Sequence, residues 1–199
     1  MAENVPTREQ ALALLKQYNK SESLLRHAFA VEGVMRYMAR KAGEDEEKWG
    51  IIGLIHDLDY EMYPDQHCKM TEKILKENGW PEDYIRAVLS HGWGLASDVE
   101  PFTRLEKTIY AIDELTGLVA TSALVRPARS VLDMEARSVR KKWNDKRFAA
   151  GVDRSVIEKG ASMLGVSLDE LITDCIMGMR EVAEAIGLKG IQPNLPSGA

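Results

Sequence analysis

The chain has 199 residues, 45% of them hydrophobic and 29% charged, a composition that fits one soluble globular domain, or one domain with a small appendage. A disordered chain would need fewer apolar residues and more net charge, and no apolar run reaches the roughly 20 residues of a membrane-spanning helix. The net charge of −5 gives no reason to expect nucleic acid or an anionic membrane as partner.

In chain order the pattern is helical almost throughout, and an all-α, single-domain fold is the expectation. Thr7-Arg-Glu-Gln10 reads as a capping box opening a helix over 7–18. Ser21 is placed to cap a helix over 22–41, with Gly43 to end it. Helices follow over 46–57, 66–78 and 82–91, the last with Pro81 in its first turn. Thr103-Arg-Leu-Glu106 opens a long helix over 103–125, and another is expected over 135–150. Asp153 caps a helix over 154–163 that ends near Gly165, and Ser167-Leu-Asp-Glu170 opens the last, over 168–187. No segment alternates apolar and polar residues long enough to predict a strand, and residues 190–199 read as a flexible tail. Cys68 and Cys175 are the two cysteines, too few for a disulfide framework. The first residues show no basic region followed by an apolar stretch, so a reducing cytoplasm is the expected compartment.

The four histidines carry the information. His27 falls on the stripe Leu24, Ala28, Val31, Met35 and Met38, where it reads either as a core histidine or as a ligand. The apolar run Ile51-Ile-Gly-Leu-Ile ends in adjacent His56 and Asp57; neighbours on a helix point about 100° apart, but at a helix end both can reach one centre. His67 stands early in a short helix, and His91 ends another just before Gly92-Trp-Gly94. Asp113 lies on the inner face of the 103–125 helix, along with Leu105, Ile109, Ile112, Thr116 and Ala120. A carboxylate there needs a salt bridge, a cap or a metal. Together these form a mixed nitrogen and oxygen set suited to Fe, Mn, Co, Ni or Zn.

Leu25-Arg-His27-Ala, Leu54-Ile-His-Asp57-Leu, His67, His91 and Leu105-Glu-Lys-Thr-Ile-Tyr-Ala-Ile-Asp113 resemble the HD-domain superfamily of metal-dependent phosphohydrolases, whose fold is a helical bundle. Ile112–Leu118 and Ala123–Pro127 also look like a small, uncharacterised hydrolase-like subgroup. The resemblance covers roughly residues 20–125, the expected metal-binding core; the chain then divides into an N-terminal helix over 1–19, that core, and C-terminal helices over 126–189 packing on it. It implies that His27, His56, Asp57 and Asp113 hold one metal, and that Asp57 bridges to a second held by His67 and His91. Tyr60 stands where some mononuclear nucleotidases of the superfamily have Glu, and Asp59-Tyr60 stands where its cyclic-dinucleotide phosphodiesterases have Gly-Lys, so neither substrate carries over.

The implied activity is hydrolysis of a phosphomonoester or phosphodiester, a nucleotide among the candidates, by a water activated at two divalent ions (Fe, Mn, Co or Ni), with Asp57 and His56 as the catalytic pair. Asp59, Glu61 and Glu32 are candidates for orienting an imidazole or moving a proton, or they are ordinary surface acids. Residues 126–147 hold eight basic residues against three acidic; Arg126, Arg129, Lys141 and Lys142 are the candidates for gripping a substrate phosphate, against the alternative of a solvated basic face. Trp93 and Trp143 fit either base stacking or core packing. The expected partner is a small phosphorylated molecule. The apolar positions of 150–187 fit packing on the core or on a second subunit of a homodimer. Two other functions remain: a mixed-valence di-iron oxygenase of the same fold, and a regulatory protein that keeps its metals without turnover.

Overall fold

A computed structural model describes residues 5–190. Among these residues the elements are α-helices, one 3-10 turn at Pro64–Gln66 and two isolated bridges, without strands. The helices are α1 (Arg8–Tyr18), α2 (Glu22–Ala42), α3 (Glu46–Ile55), α4 (Lys69–Glu77), α5 (Glu82–Ser90), α6 (Arg104–Leu124), α7 (Ala136–Arg140), α8 (Arg154–Leu164) and α9 (Leu168–Glu181).

Capping chemistry sets most of these limits. Thr7 and Thr103 form complete capping boxes with Gln10 and Glu106. Ser167 accepts from the Glu170 N–H, but the Glu170 carboxylate turns to Lys41 Nζ at 3.2 Å, so only half of the expected box forms. Ser21 makes no side-chain cap; its hydroxyl pairs with Ser23. Gly43 closes α2 in the left-handed conformation at φ 72°, where the Glu44 N–H reaches the Ala39 carbonyl at 2.9 Å.

Three expected helices are shorter than their patterns suggest. The segment 66–78 divides into the 3-10 turn and α4, with Cys68 between them at φ 67°. The segment 135–150 is helical only to Arg140. Beyond it Asp145 Oδ1 takes the Arg147 and Phe148 N–H groups, offering the backbone a turn in place of helix. The Trp143 indole N–H meanwhile bonds Glu158 on α8 at 3.0 Å. The last helix ends at Glu181 rather than 187; tighter turns carry the chain to Gly187, at φ 70°, and the Leu188 N–H closes on Ala183 O. Of the expected tail, residues 191–199 lie outside the described residues.

The frame of the site is built around α2 and α6. α2 lies against α3, α6 and α9, while α8 lies on α6. The α2–α9 crossing is close because two glycines meet there: a Cβ on Gly178 would lie 2.5 Å from Val34 Cα. Val31, Val34 and Met35 of α2, Ile52 and Leu54 of α3, Ile109, Ile112 and Leu115 of α6, and Leu171 and Ile172 of α9 are all fully buried. The apolar face of 168–181 is thus covered by this chain's own α2 and α6. No helix among the described residues is long and apolar enough to cross a membrane.

Candidate metal centre

His27 sits in the second turn of α2, His56 at the end of α3, His67 after the 3-10 turn, His91 at the end of α5 and Asp113 in the middle of α6. Asp57 follows His56 into a turn closed by the Leu58 N–H on Ile55 O and the Tyr60 N–H on Asp57 O. Ending α3 at this point frees two consecutive side chains to face the same cleft.

Each of the four imidazoles has its Nδ1 beside an acceptor. His56 Nδ1 donates to the Gly53 carbonyl at 2.8 Å, and His91 Nδ1 to the Val88 carbonyl. His67 Nδ1 lies 2.8 Å from Asp59 Oδ1. His27 Nδ1 lies 3.4 Å from Thr116 Oγ1, whose own proton goes to the Asp113 carbonyl. The four Nε2 atoms are therefore left to point inward. His27 Nε2 and His56 Nε2 are 3.2 Å apart, and His67 Nε2 and His91 Nε2 are 3.1 Å apart. Two imidazole lone pairs at that range repel unless a cation or proton lies between them.

Carboxylates complete each pair. Asp113 Oδ1 is 3.0 Å from His27 Nε2 and 3.2 Å from His56 Nε2. Asp57 stands between the pairs: its Oδ2 lies 3.7 and 3.4 Å from His27 and His56, and its Oδ1 lies 3.5 Å from both His67 and His91. His27, His56, Asp57 and Asp113 each offer one ligand atom within 4.8 Å of the others, and His67, Cys68 and His91 do the same. This donor chemistry fits divalent metals. The carboxylates also shift the titration of the imidazoles they face. Burial opposes a charge on His56, yet Asp57 and Asp113 outweigh it and hold its pKa well above the ordinary value. Burial likewise opposes a charge on His67, but Asp59, Cys68 and Asp57 push it up to about 10. Burial would raise Asp57 and Asp113; neighbouring His56 reverses this and holds both far below the usual carboxylate range.

The centre opens into a cavity of about 390 Å³. Its walls include Leu24, Tyr60, Leu95, Glu114, Gly117 and Val152, and none of its lining residues is Lys or Arg. The basic candidates lie elsewhere. Arg126 grips Asp133 at 2.6 Å and the Ser130 carbonyl at 2.9 Å; Lys142 covers the Phe148 ring; Arg129 and Lys141 are absent from the lining. Trp93 lies beneath Lys159 and beside Tyr110, and Trp143 is buried.

Of the three acids considered for orientation, Asp59 is fully buried and takes both His67 and, at 2.8 Å, the Thr71 N–H. Glu32 is buried and held between Arg8 and Arg36, and Glu61 accepts the Lys20 and Ser21 N–H groups. The sequence reading passed over Cys68 and Glu114. Glu114 sits on the cleft wall, its carboxyl raised to about 7 by burial and by Asp113; its adjacency to Asp113 was the available signal.

Residues 24–118 match the HD domain family. The chain carries an HD domain. That family comprises metal-dependent phosphohydrolases, and the His/Asp cluster is compatible with binding divalent metals. Ribonuclease Y of Oleidesulfovibrio alaskensis is 29% identical over 100 residues, which make up 49% of this chain and 18% of that protein. No solved structure gives a significant match.

Proposed function

We propose that this HD domain hydrolyses a phosphomonoester or phosphodiester of a small molecule, using two divalent ions held by His27, His56, Asp57 and Asp113 on one side and by Asp57, His67 and His91 on the other. The observation that carries this reading is the pairing of four inward Nε2 atoms, two and two, on either side of the Asp57 carboxylate. Divalent ions there would supply charge for the phosphoryl oxygens and an acidified water. Asp57 turns one oxygen toward each imidazole pair and would set the separation of the two positions. The Nδ1 acceptors hold every ring in the tautomer that presents Nε2 to the cleft.

A small substrate is favoured over RNA. Among the described residues lining the cleft there is no Lys or Arg to follow a polyanionic backbone, and nucleic-acid binding draws most of its affinity from such contacts. The relative named as a ribonuclease shares only 18% of its length with this chain.

The test is elemental mass spectrometry of tag-free protein purified without chelators, combined with hydrolysis of p-nitrophenyl phosphate and bis(p-nitrophenyl) phosphate before and after metal stripping. About two ions per chain and metal-dependent release of nitrophenol are expected. Absence of metal even after reloading, or turnover unaffected by stripping, overturns the reading. Cleavage of RNA in preference to both esters would move the substrate to nucleic acid.

A further inference from the structure

Cys68 follows His67 and directly precedes α4. Its Sγ, one ring nitrogen of His67 and one of His91 lie within 4.8 Å of one another. The thiol is buried, 2% exposed. Space has been left for it. A Cβ on Gly92 would lie 2.7 Å from Cys68 Sγ, and Gly92 is not among the glycines with positive φ. The missing side chain next to His91 therefore makes room for the sulfur and serves no special backbone conformation.

We infer that Cys68 is a further protein ligand of the second ion, bound as a thiolate beside Asp57, His67 and His91. Binding forms one sulfur–metal bond and releases the thiol proton to solvent. The two positions then differ in chemistry. The first, with His27, His56, Asp57 and Asp113, offers only nitrogen and oxygen. The second adds a soft donor, which favours Zn, Fe(II) or Co over Mn or Mg. This inference rests on the paired-ion reading above and adds to it a reason for metal discrimination within the pair.

Cobalt(II) loading of the full chain under reducing, oxygen-free conditions tests it, with cobalt per chain counted by elemental analysis. The parent protein should show an intense near-ultraviolet sulfur-to-cobalt charge-transfer band. Cys68→Ser should lose the band and shift the second position toward Mn over Co by about tenfold or more. Cys175 is buried beside Met179, with its thiol pushed up by burial, so Cys175→Ser should keep the band. That variant leaves Cys68 as the sole thiol and decides the assignment even where Cys68→Ser fails to fold. A parent that takes cobalt without the band, or a band that survives in Cys68→Ser, overturns the role of Cys68. A stoichiometry of one cobalt per chain overturns the paired site, and the band still decides whether Cys68 is a ligand.

Discussion

Asp59 Oδ1 lies 2.8 Å from His67 Nδ1 at the base of the cleft, and Asp59 is fully buried while His67 faces the opening. The other Asp59 oxygen is fixed by the Thr71 N–H at 2.8 Å, so the carboxylate cannot turn without breaking the start of α4. It dictates which nitrogen of His67 faces the centre.

Asp59→Asn should therefore weaken the second ion while sparing the first. The amide can keep one contact but offers His67 a poorer acceptor, and loss of such an orienting partner costs about tenfold to a hundredfold in metal affinity. Chelator competition on both ions measures this. Equal weakening of both positions would mean that Asp59 acts on the fold rather than through His67.

Asp57 is within reach of both imidazole pairs, while the histidines each serve one. Asp57→Ala should leave less than one ion per chain. His67→Ala or His91→Ala should leave about one, and turnover should fall in all three. Metal counts after dialysis decide the matter; three variants that retain two ions would remove the bridging role. Asp113→Asn should weaken the first ion without unfolding the helices, which far-ultraviolet circular dichroism checks.

Gly160 on α8 sits where a Cβ would come 2.4 Å from Ala111 Cβ and 2.5 Å from Ala111 Cα. Backbone cannot yield as a side chain can, so Gly160→Ala should lose about 1–3 kcal/mol through overpacking, more than the roughly 1 kcal/mol that alanine gains in a helix. Urea denaturation measures the difference. An unchanged or higher midpoint would show that α8 shifts freely on α6.

Lys141→Ala and Lys142→Ala should leave KM for a phosphate ester within about twofold, since neither side chain lines the cleft. Arg126→Gln should lower Tm slightly by releasing Asp133 and the Ser130 carbonyl, also without a change in KM. A rise in KM of tenfold or more in any of these would show that the basic segment reaches the substrate.

The sequence was most informative where local chemistry decides the outcome. Thr7, Thr103, Gly43 and Asp153 each set a helix limit through bonds to residues within a few positions. His56-Asp57 was visible because it ends an apolar run. Other features depend on distant partners. The spacing of Val139 and Trp143 resembles a continuing helix, but the indole is drawn to Glu158, fifteen residues away. Counting charges in 126–147 could not reveal that Arg126 is already engaged by Asp133. Nor could it separate Asp59 from Glu61, two residues on: one turn after His56 sends the first inward to His67 and the second outward to the start of α2.

The family match begins at residue 24, yet the turn bearing His56 and Asp57 is held from outside that stretch. Asn19 Nδ2 donates to the Leu58 carbonyl at 2.8 Å, and Glu61 receives the backbone N–H groups of Lys20 and Ser21. Behind them Arg8 of α1 clasps the buried Glu32 of α2. The N-terminal helix is thus a brace for the ligand turn, and a fragment cut at the family boundary would retain every candidate ligand while losing the strut that holds two of them in place.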